Sequence, residues 1–138
     1  MELQFNAYID SRGTLVSINE YDTLPFEIKR VFFIKDIKKN RGNHAHRTCS
    51  ELILAIQGSF TLTTNNGVET TCHRLSDPTI GILATPYTWL DITECTPDCI
   101  IAVFCSHNHD EADNIRNYTT FISEVLYKPK LTRENIIT

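Results

Sequence analysis

The chain has 138 residues, 41% of them hydrophobic, which is enough for one domain with a real core and too few for two ordinary ones. Its formal net charge is −4 with acid and base interspersed, which argues against a nucleic-acid partner, since backbone phosphates call for a basic face. The opening MELQFNAYID lacks a signal-peptide pattern and no apolar run is long enough to span a bilayer, so the expectation is a cytoplasmic protein with no membrane partner.

Residues 1–138 read as a single domain in which almost everything up to residue 106 is short strands and turns. Phe5 to Ile9 is a first strand, Asp10-Ser11-Arg12-Gly13 a turn, and Thr14 to Asn19 a second strand. Pro25 punctuates the connection to the β-prone segment from Ile28 to Lys35. Residues 36–43 form a polar loop that leads to His44-Ala45-His46. Glu51 to Ile56 is a buried strand, and Gln57-Gly58 is expected to turn it into a hairpin with Ser59 to Thr64. Asn65-Asn66-Gly67 is a strong turn signal before the strand from Val68 to Arg74. Thr79–Leu83, Thr88–Thr93 and Cys99–Cys105 complete the series. Short strands at near-regular spacing predict a sandwich or barrel. Ile115, Tyr118, Phe121, Ile122, Val125 and Leu126 then recur at helical steps, predicting one amphipathic helix over about residues 111–127 with a loosely held tail from Lys128. The five cysteines read as free thiols, because Cys95 and Cys99 lack the second pair that a zinc site would need.

The chemistry centres on Arg41-Gly42-Asn43-His44-Ala45-His46, with Glu51 and Gly58 downstream. Two histidines two apart on extended backbone point to the same side. Both imidazoles are therefore expected to face one cavity, at the mouth of the predicted hairpin, with an arginine just upstream. For an isolated HxH, two solvated residues on a loop edge would be the favoured reading; here Arg41, Gly42, Glu51 and Gly58 fit the same hairpin. His73, His107 and His109 lie near turns in polar surroundings and read as surface residues.

The spacing His44-x-His46-x4-Glu51-x6-Gly58 resembles the first motif of the cupins, and Gly81 to Leu90 their second. The resemblance implies a mainly β, cupin-type antiparallel barrel (jelly roll) with a C-terminal α-helix. In metal-binding cupins the corresponding histidines and glutamate are ligands, but Leu90 stands where a further histidine would be expected, leaving at most three protein ligands. From about Ile9 to Phe121 the chain looks like the dTDP-4-keto-6-deoxyglucose 3,4-ketoisomerases of the FdtA and QdtA type. The matching stretches are IDSRGTLV from Ile9, PFEIKRV from Pro25, RGNHAH from Arg41 and DEADNIRNY from Asp110. The likeness implies an enzyme that moves a ketone from C4 to C3 in the making of 3-amino-3,6-dideoxyhexoses for bacterial surface glycans. It implies no cofactor and no metal, a dTDP-sugar substrate, and a homodimer with exchanged N-terminal strands.

A C3 hydrogen beside a C4 ketone is acidic because its carbanion delocalises into an enediolate, and neutral histidine is well matched to take it near pH 7. The resemblance makes His44 and His46 the catalytic pair, with His46 assigned as C3 base and His44 as shuttle. Arg41 and Arg30 are the first choices for the diphosphate, since a guanidinium offers a planar fork to phosphate oxygens. Arg12 and Arg116 are assigned structural places. Phe32 and Phe33 stand where relatives carry tyrosines, and a phenyl cannot donate a proton. Tyr87 is the candidate replacement donor on the substrate-binding wall. Trp89 is expected to pack, with base stacking as a second role. Two other readings stay open: a metal-dependent, dioxygenase-like cupin using His44, His46 and Glu51, and a non-catalytic sugar-nucleotide-binding cupin.

Overall fold

The computed structural model describes residues 1–137 apart from Asp22, with side chains as far as Tyr127. Strands are numbered in chain order. The first sheet runs β1 (Glu2–Gln4), β9 (Ile80–Ala84), β6 (Glu51–Gln57), β11 (Ile100–Cys105) and β4 (Arg30–Ile34), with every neighbour antiparallel. The second runs β12 (Asn114–Ile115), β5 (Arg41–His46), β10 (Trp89–Thr93), β7 (Phe60–Asn65) and β8 (Thr70–Leu75), again antiparallel. A separate ribbon pairs β2 (Asn6–Asp10) with β3 (Gly13–Ser17) around the expected Asp10–Gly13 turn, where Asp10 accepts from the Arg12 backbone N–H and guanidinium. A C-terminal helix, α1 (Tyr118–Ile137), completes the cupin-type β fold read from the sequence.

The space between the two sheets is filled by inward-facing residues such as Ile53, Phe60, Leu62, Leu90, Ile92, Ile101 and Val103. Alternation explains the unbroken apolar run of β6. Glu51, Ile53 and Ala55 point between the sheets, while Leu52 and Leu54 point outward under Phe5, Leu24 and their neighbours, so both faces are buried.

The hairpin expected at residues 51–64 does not form. β6 pairs with β9 and β11, whereas β7 pairs with β8 and β10, so Gln57-Gly58-Ser59 carries the chain from one sheet to the other. Gly58 takes φ +66°, and a Cβ there would collide with the Thr96 hydroxyl and lie 2.6 Å from Asp98 Oδ1. The local turn was legible, but its consequence was a change of sheet. The hairpin at Asn65-Asn66-Gly67 does form, with β7 and β8 in continuous register from Phe60↔Leu75 to Asn65↔Thr70.

The helix starts later than its spacing suggests. Residues 111–113 form a 3₁₀ turn capped by Asp110, and Asn114 and Ile115 pair as an edge strand with His46 and Ala45. Asn117 then caps α1, its side chain accepting from the Thr120 N–H at 3.0 Å. The apolar positions nevertheless meet on one surface, because Ile115 and Phe121 both bury against Ala45 and Trp89. Helical periodicity ran through a strand because a two-residue strand placed one apolar side chain on the same patch. The tail's expected looseness concerns side chains beyond Tyr127, which lie outside those described; the backbone continues helical to Ile137.

Candidate active site

Strand β5 carries the histidines, and its geometry departs from a plain strand before the first of them. Across β10, His44 faces Leu90 while Gly42 faces Asp91, so Asn43 is an extra residue in a bulge. Gly42 and Asn43 hold φ of +95° and +59°, and the Asn43 N–H donates to Asp91 Oδ1 at 3.2 Å. A Cβ on Gly42 would sit 2.6 Å from the Leu90 carbonyl oxygen, so glycine permits the close approach. After the bulge, alternation resumes. His44 and His46 turn into the space between the sheets, and Ala45 is fully buried on the opposite face beneath α1.

Both imidazoles line a cavity of about 240 Å³, as expected. Arg30 and Arg41 also line it, and the Arg30 guanidinium lies 4.5 Å from the centroid of Phe32. Phe32 belongs to the wall, while Phe33 points to solvent and is 61% exposed. Leu90 is buried beside His44, so the position that departs from the metal-binding cupin pattern is a cavity residue.

The rings lie 5.2 Å apart, nearly perpendicular, in different surroundings. His44 Nδ1 is buried without a hydrogen-bond partner of good geometry, the one such side-chain atom among the described residues, and burial pushes the pKa of this ring below its ordinary value against the pull of Glu51 and the Gly42 backbone. Burial also works against a charge on His46, but two carboxylates outweigh it and raise its pKa. Nε2 lies 3.4 Å from Glu51 Oε1, and Nδ1 lies 3.0 Å from Asp113 Oδ2. Glu51, 4% exposed, is part of the interior rather than the rim; its other oxygen faces the Cys105 thiol at 3.7 Å. His44, His46 and Glu51 also offer ligand atoms within 4.8 Å of one another, so the trio fits a cation, with apolar Leu90 alongside.

Tyr87, expected on the wall, lies elsewhere, and Trp89 packs as expected without its second role. Tyr87 is outside the cavity, its hydroxyl donating to Glu124 Oε1 at 3.2 Å on α1; burial and that carboxylate push its pKa up to about 12. It is poorly suited and wrongly placed as the donor to C4. Trp89 alternates outward from Leu90 and packs against Tyr118 and Phe121 at centroid distances of 5.2 and 5.5 Å, so it fills the helix interface and is not available for base stacking.

Three residues of the site come from a segment expected to form the first turns of a helix, and a fourth, His109, from just before it. His109, Asn114 and Arg116 line the cavity, and Asp113 holds His46. Arg116, assigned a structural place, does pair with Glu111 at 2.6 Å but also forms part of the wall. His109, read as a surface residue, is a wall residue too, whereas His73 and His107 stay outside the cavity. The available signal was the matching stretch Asp110 to Tyr118.

No helix among the described residues is long and apolar enough to cross a membrane. The family model described as "FdtA: WxcM-like, C-terminal" matches residues 2–126. A TDP-4-oxo-6-deoxy-alpha-D-glucose-3,4-oxoisomerase of Aneurinibacillus thermoaerophilus is 36% identical over 121 residues, covering 86% of this chain and 87% of its own. The sugar 3,4-ketoisomerase QdtA of Thermoanaerobacterium thermosaccharolyticum, solved with TDP, superposes with a TM-score of 0.88 at 30% identity over 91% of this chain and 93% of its own. A histidine-to-asparagine variant of QdtA, solved with TDP-4-keto-6-deoxyglucose, gives 0.90 at 28% identity over 93% and 94%. With family motifs, curated sequence and solved folds agreeing along nearly its whole length, the chain belongs to the FdtA family.

Proposed function

We propose that the protein is a sugar-nucleotide 3,4-ketoisomerase, a single cupin domain that moves the ketone of dTDP-4-keto-6-deoxyglucose from C4 to C3. The observation that carries the mechanism is the pair of histidines on one wall with opposite protonation preferences. The same chemistry is named for the relative from Aneurinibacillus and for QdtA.

The surroundings of the two rings favour the opposite order of roles to the one expected from sequence. His44, kept neutral by burial, is the base that takes the C3 hydrogen as a proton. His46, whose charged form Glu51 and Asp113 favour, gives its proton to O4 as the carbonyl electrons shift, which produces the enediol. His46 then recovers a proton from O3 while the C3 carbonyl forms, and C4 receives a proton from His44 or from water. One proton leaves C3, one enters C4, one moves from O3 to O4, and no electrons are lost. Phe32 and Leu90 supply no donor on their parts of the wall, so the C4 configuration depends on which face His44 or water can reach. Arg30, Arg41 and Arg116 supply the cations that a diphosphate needs.

Proton NMR of dTDP-4-keto-6-deoxyglucose with the protein in deuterated water tests this. A 3-keto product with deuterium at C4 is expected; no exchange and no product with demonstrated ligand binding would leave a binding module. A cation on His44, His46 and Glu51 is the second reading, favoured by their span of donor atoms. Its signature is activity abolished by metal removal and restored by one specific metal.

The working form is proposed to be a cytoplasmic homodimer. In support, the β2–β3 ribbon pairs with neither sheet, and it exposes Tyr8, Ile9 and Leu15 at 58%, 77% and 60%. Strand β4 is a sheet edge that exposes Phe33 at 61%. An unpaired ribbon and an open apolar edge are what strand exchange would cover. Sedimentation giving a monomer at working concentration would remove this reading.

A further inference from the structure

The ketoisomerase reading needs His46 to present a defined nitrogen to the substrate, and nothing in the histidine strand itself sets the ring's tautomer. The control comes from the segment before α1, which lines the cavity with His109, Asn114 and Arg116. Asp113 is 10% exposed at its side chain, and three donors and the Nδ1 of His46 converge on its two oxygens. Oδ1 accepts from the Thr48 N–H at 2.7 Å and the Thr48 hydroxyl at 2.6 Å. Oδ2 accepts from the Cys49 N–H at 3.1 Å and faces His46 Nδ1 at 3.0 Å.

The backbone around Asp113 is fastened without help from the imidazole. Its N–H donates to the Asp110 carbonyl, its own carbonyl accepts from the Arg47 N–H at 2.9 Å, and the Arg47 guanidinium donates to the Ala112 carbonyl at 2.8 Å. The same guanidinium is bound to both oxygens of Glu124 on α1. The carboxylate is therefore placed by the fold, and the ring must conform to it. An ionised carboxylate only accepts, so the nitrogen beside it must carry a hydrogen.

We propose that Asp113 is a positioning residue: anchored on Thr48 and Cys49, it holds the His46 ring with hydrogen on Nδ1, so that Nε2, beside Glu51, carries the proton exchanged with substrate. Asp113 does not touch the reacting atoms. It acts as the orienting third member behind an acid–base histidine, a role that depends on geometry rather than chain order. Asparagine in its place, with its oxygen kept on the two Thr48 donors, would turn an amide N–H₂ toward His46 and the Cys49 N–H, favouring the ring form with hydrogen on Nε2 alone at the cost of the Cys49 bond.

The test is ¹⁵N NMR of the histidine rings in the intact protein, with His46 assigned by comparison with His46→Asn. It is recorded at a pH where the ring has lost its second proton, alongside steady-state kinetics. The wild type is expected to show a protonated Nδ1, and Asp113→Asn a protonated Nε2. That variant is expected to lose about 100-fold or more in kcat, the scale of one positioned acid–base group, with KM little changed. A wild-type ring protonated on Nε2 alone overturns the proposal. So does a folded Asp113→Asn protein with undiminished kcat, or a loss confined to KM. If Asp113→Asn fails to fold, the wild-type spectrum decides by itself. The ring measurement does not use turnover, so a wild type that fails to isomerise substrate would count against the ketoisomerase reading and leave this one to its own result.

Discussion

His44 and His46 sit two residues apart on one strand and face one cavity, yet the protein treats them as opposites. Around His44 the neighbours are β10 and the apolar interior, with Leu90 directly across and one ring nitrogen left without a hydrogen-bond partner of good geometry. Around His46 a carboxylate stands at each nitrogen, one from the neighbouring sheet and one from the segment before α1. The difference teaches that identical side chains at equivalent strand positions take opposite protonation preferences through what the rest of the chain brings to them. Burial without a well-aligned partner favours the neutral ring, and burial between two carboxylates favours the charged one.

The strongest way to break the comparison is to remove its neutral member. His44→Asn is expected to lower kcat by about 10³-fold, within the range of a positioned base, while substrate binding measured by calorimetry persists. Turnover that survives both this change and His46→Asn would refute acid–base catalysis by the pair.

Glu51→Gln attacks the other member. It should drop kcat by about 10²-fold at pH 8 and by less at pH 6, because His46 then loses its proton at lower pH. An equal loss at both values would mean that Glu51 does not govern His46.

The wild-type pH profile sharpens the contrast without mutation. The proposed mechanism needs His44 neutral and His46 charged. The rate should climb as pH rises through the lowered His44 value, below 6.5, and fall as pH passes the raised His46 value, above 6.5. Because the rings interact, the two limbs report apparent constants of the pair. A profile that only rises across this range would contradict a charged His46.

Smaller effects are expected where neither ring is touched. Arg41→Ala should raise KM by about tenfold, the value of one charge-assisted phosphate contact, and leave kcat within a factor of a few. A loss in kcat alone would move Arg41 from binding to chemistry.

Much of this protein was determined by its sequence alone. Alternation placed both imidazoles on one face of β5, and the Asn65-Asn66-Gly67 signal produced the β7–β8 hairpin, because strand facing and tight turns depend on a few neighbouring residues. The family motifs marked Asp110 to Tyr118 as meaningful without saying what it did. Tertiary structure decided the rest. It sent β6 and β7 to different sheets, turned Tyr87 and Trp89 to the helix side, and made residues 114–115 a strand before the helix. It also carried Asp113, Asn114 and Arg116 to a site more than sixty residues upstream, and so gave two like histidines different surroundings. Those outcomes rest on sheet pairing, packing and buried charge between distant segments, and local spacing holds no record of which distant carboxylate will meet which ring.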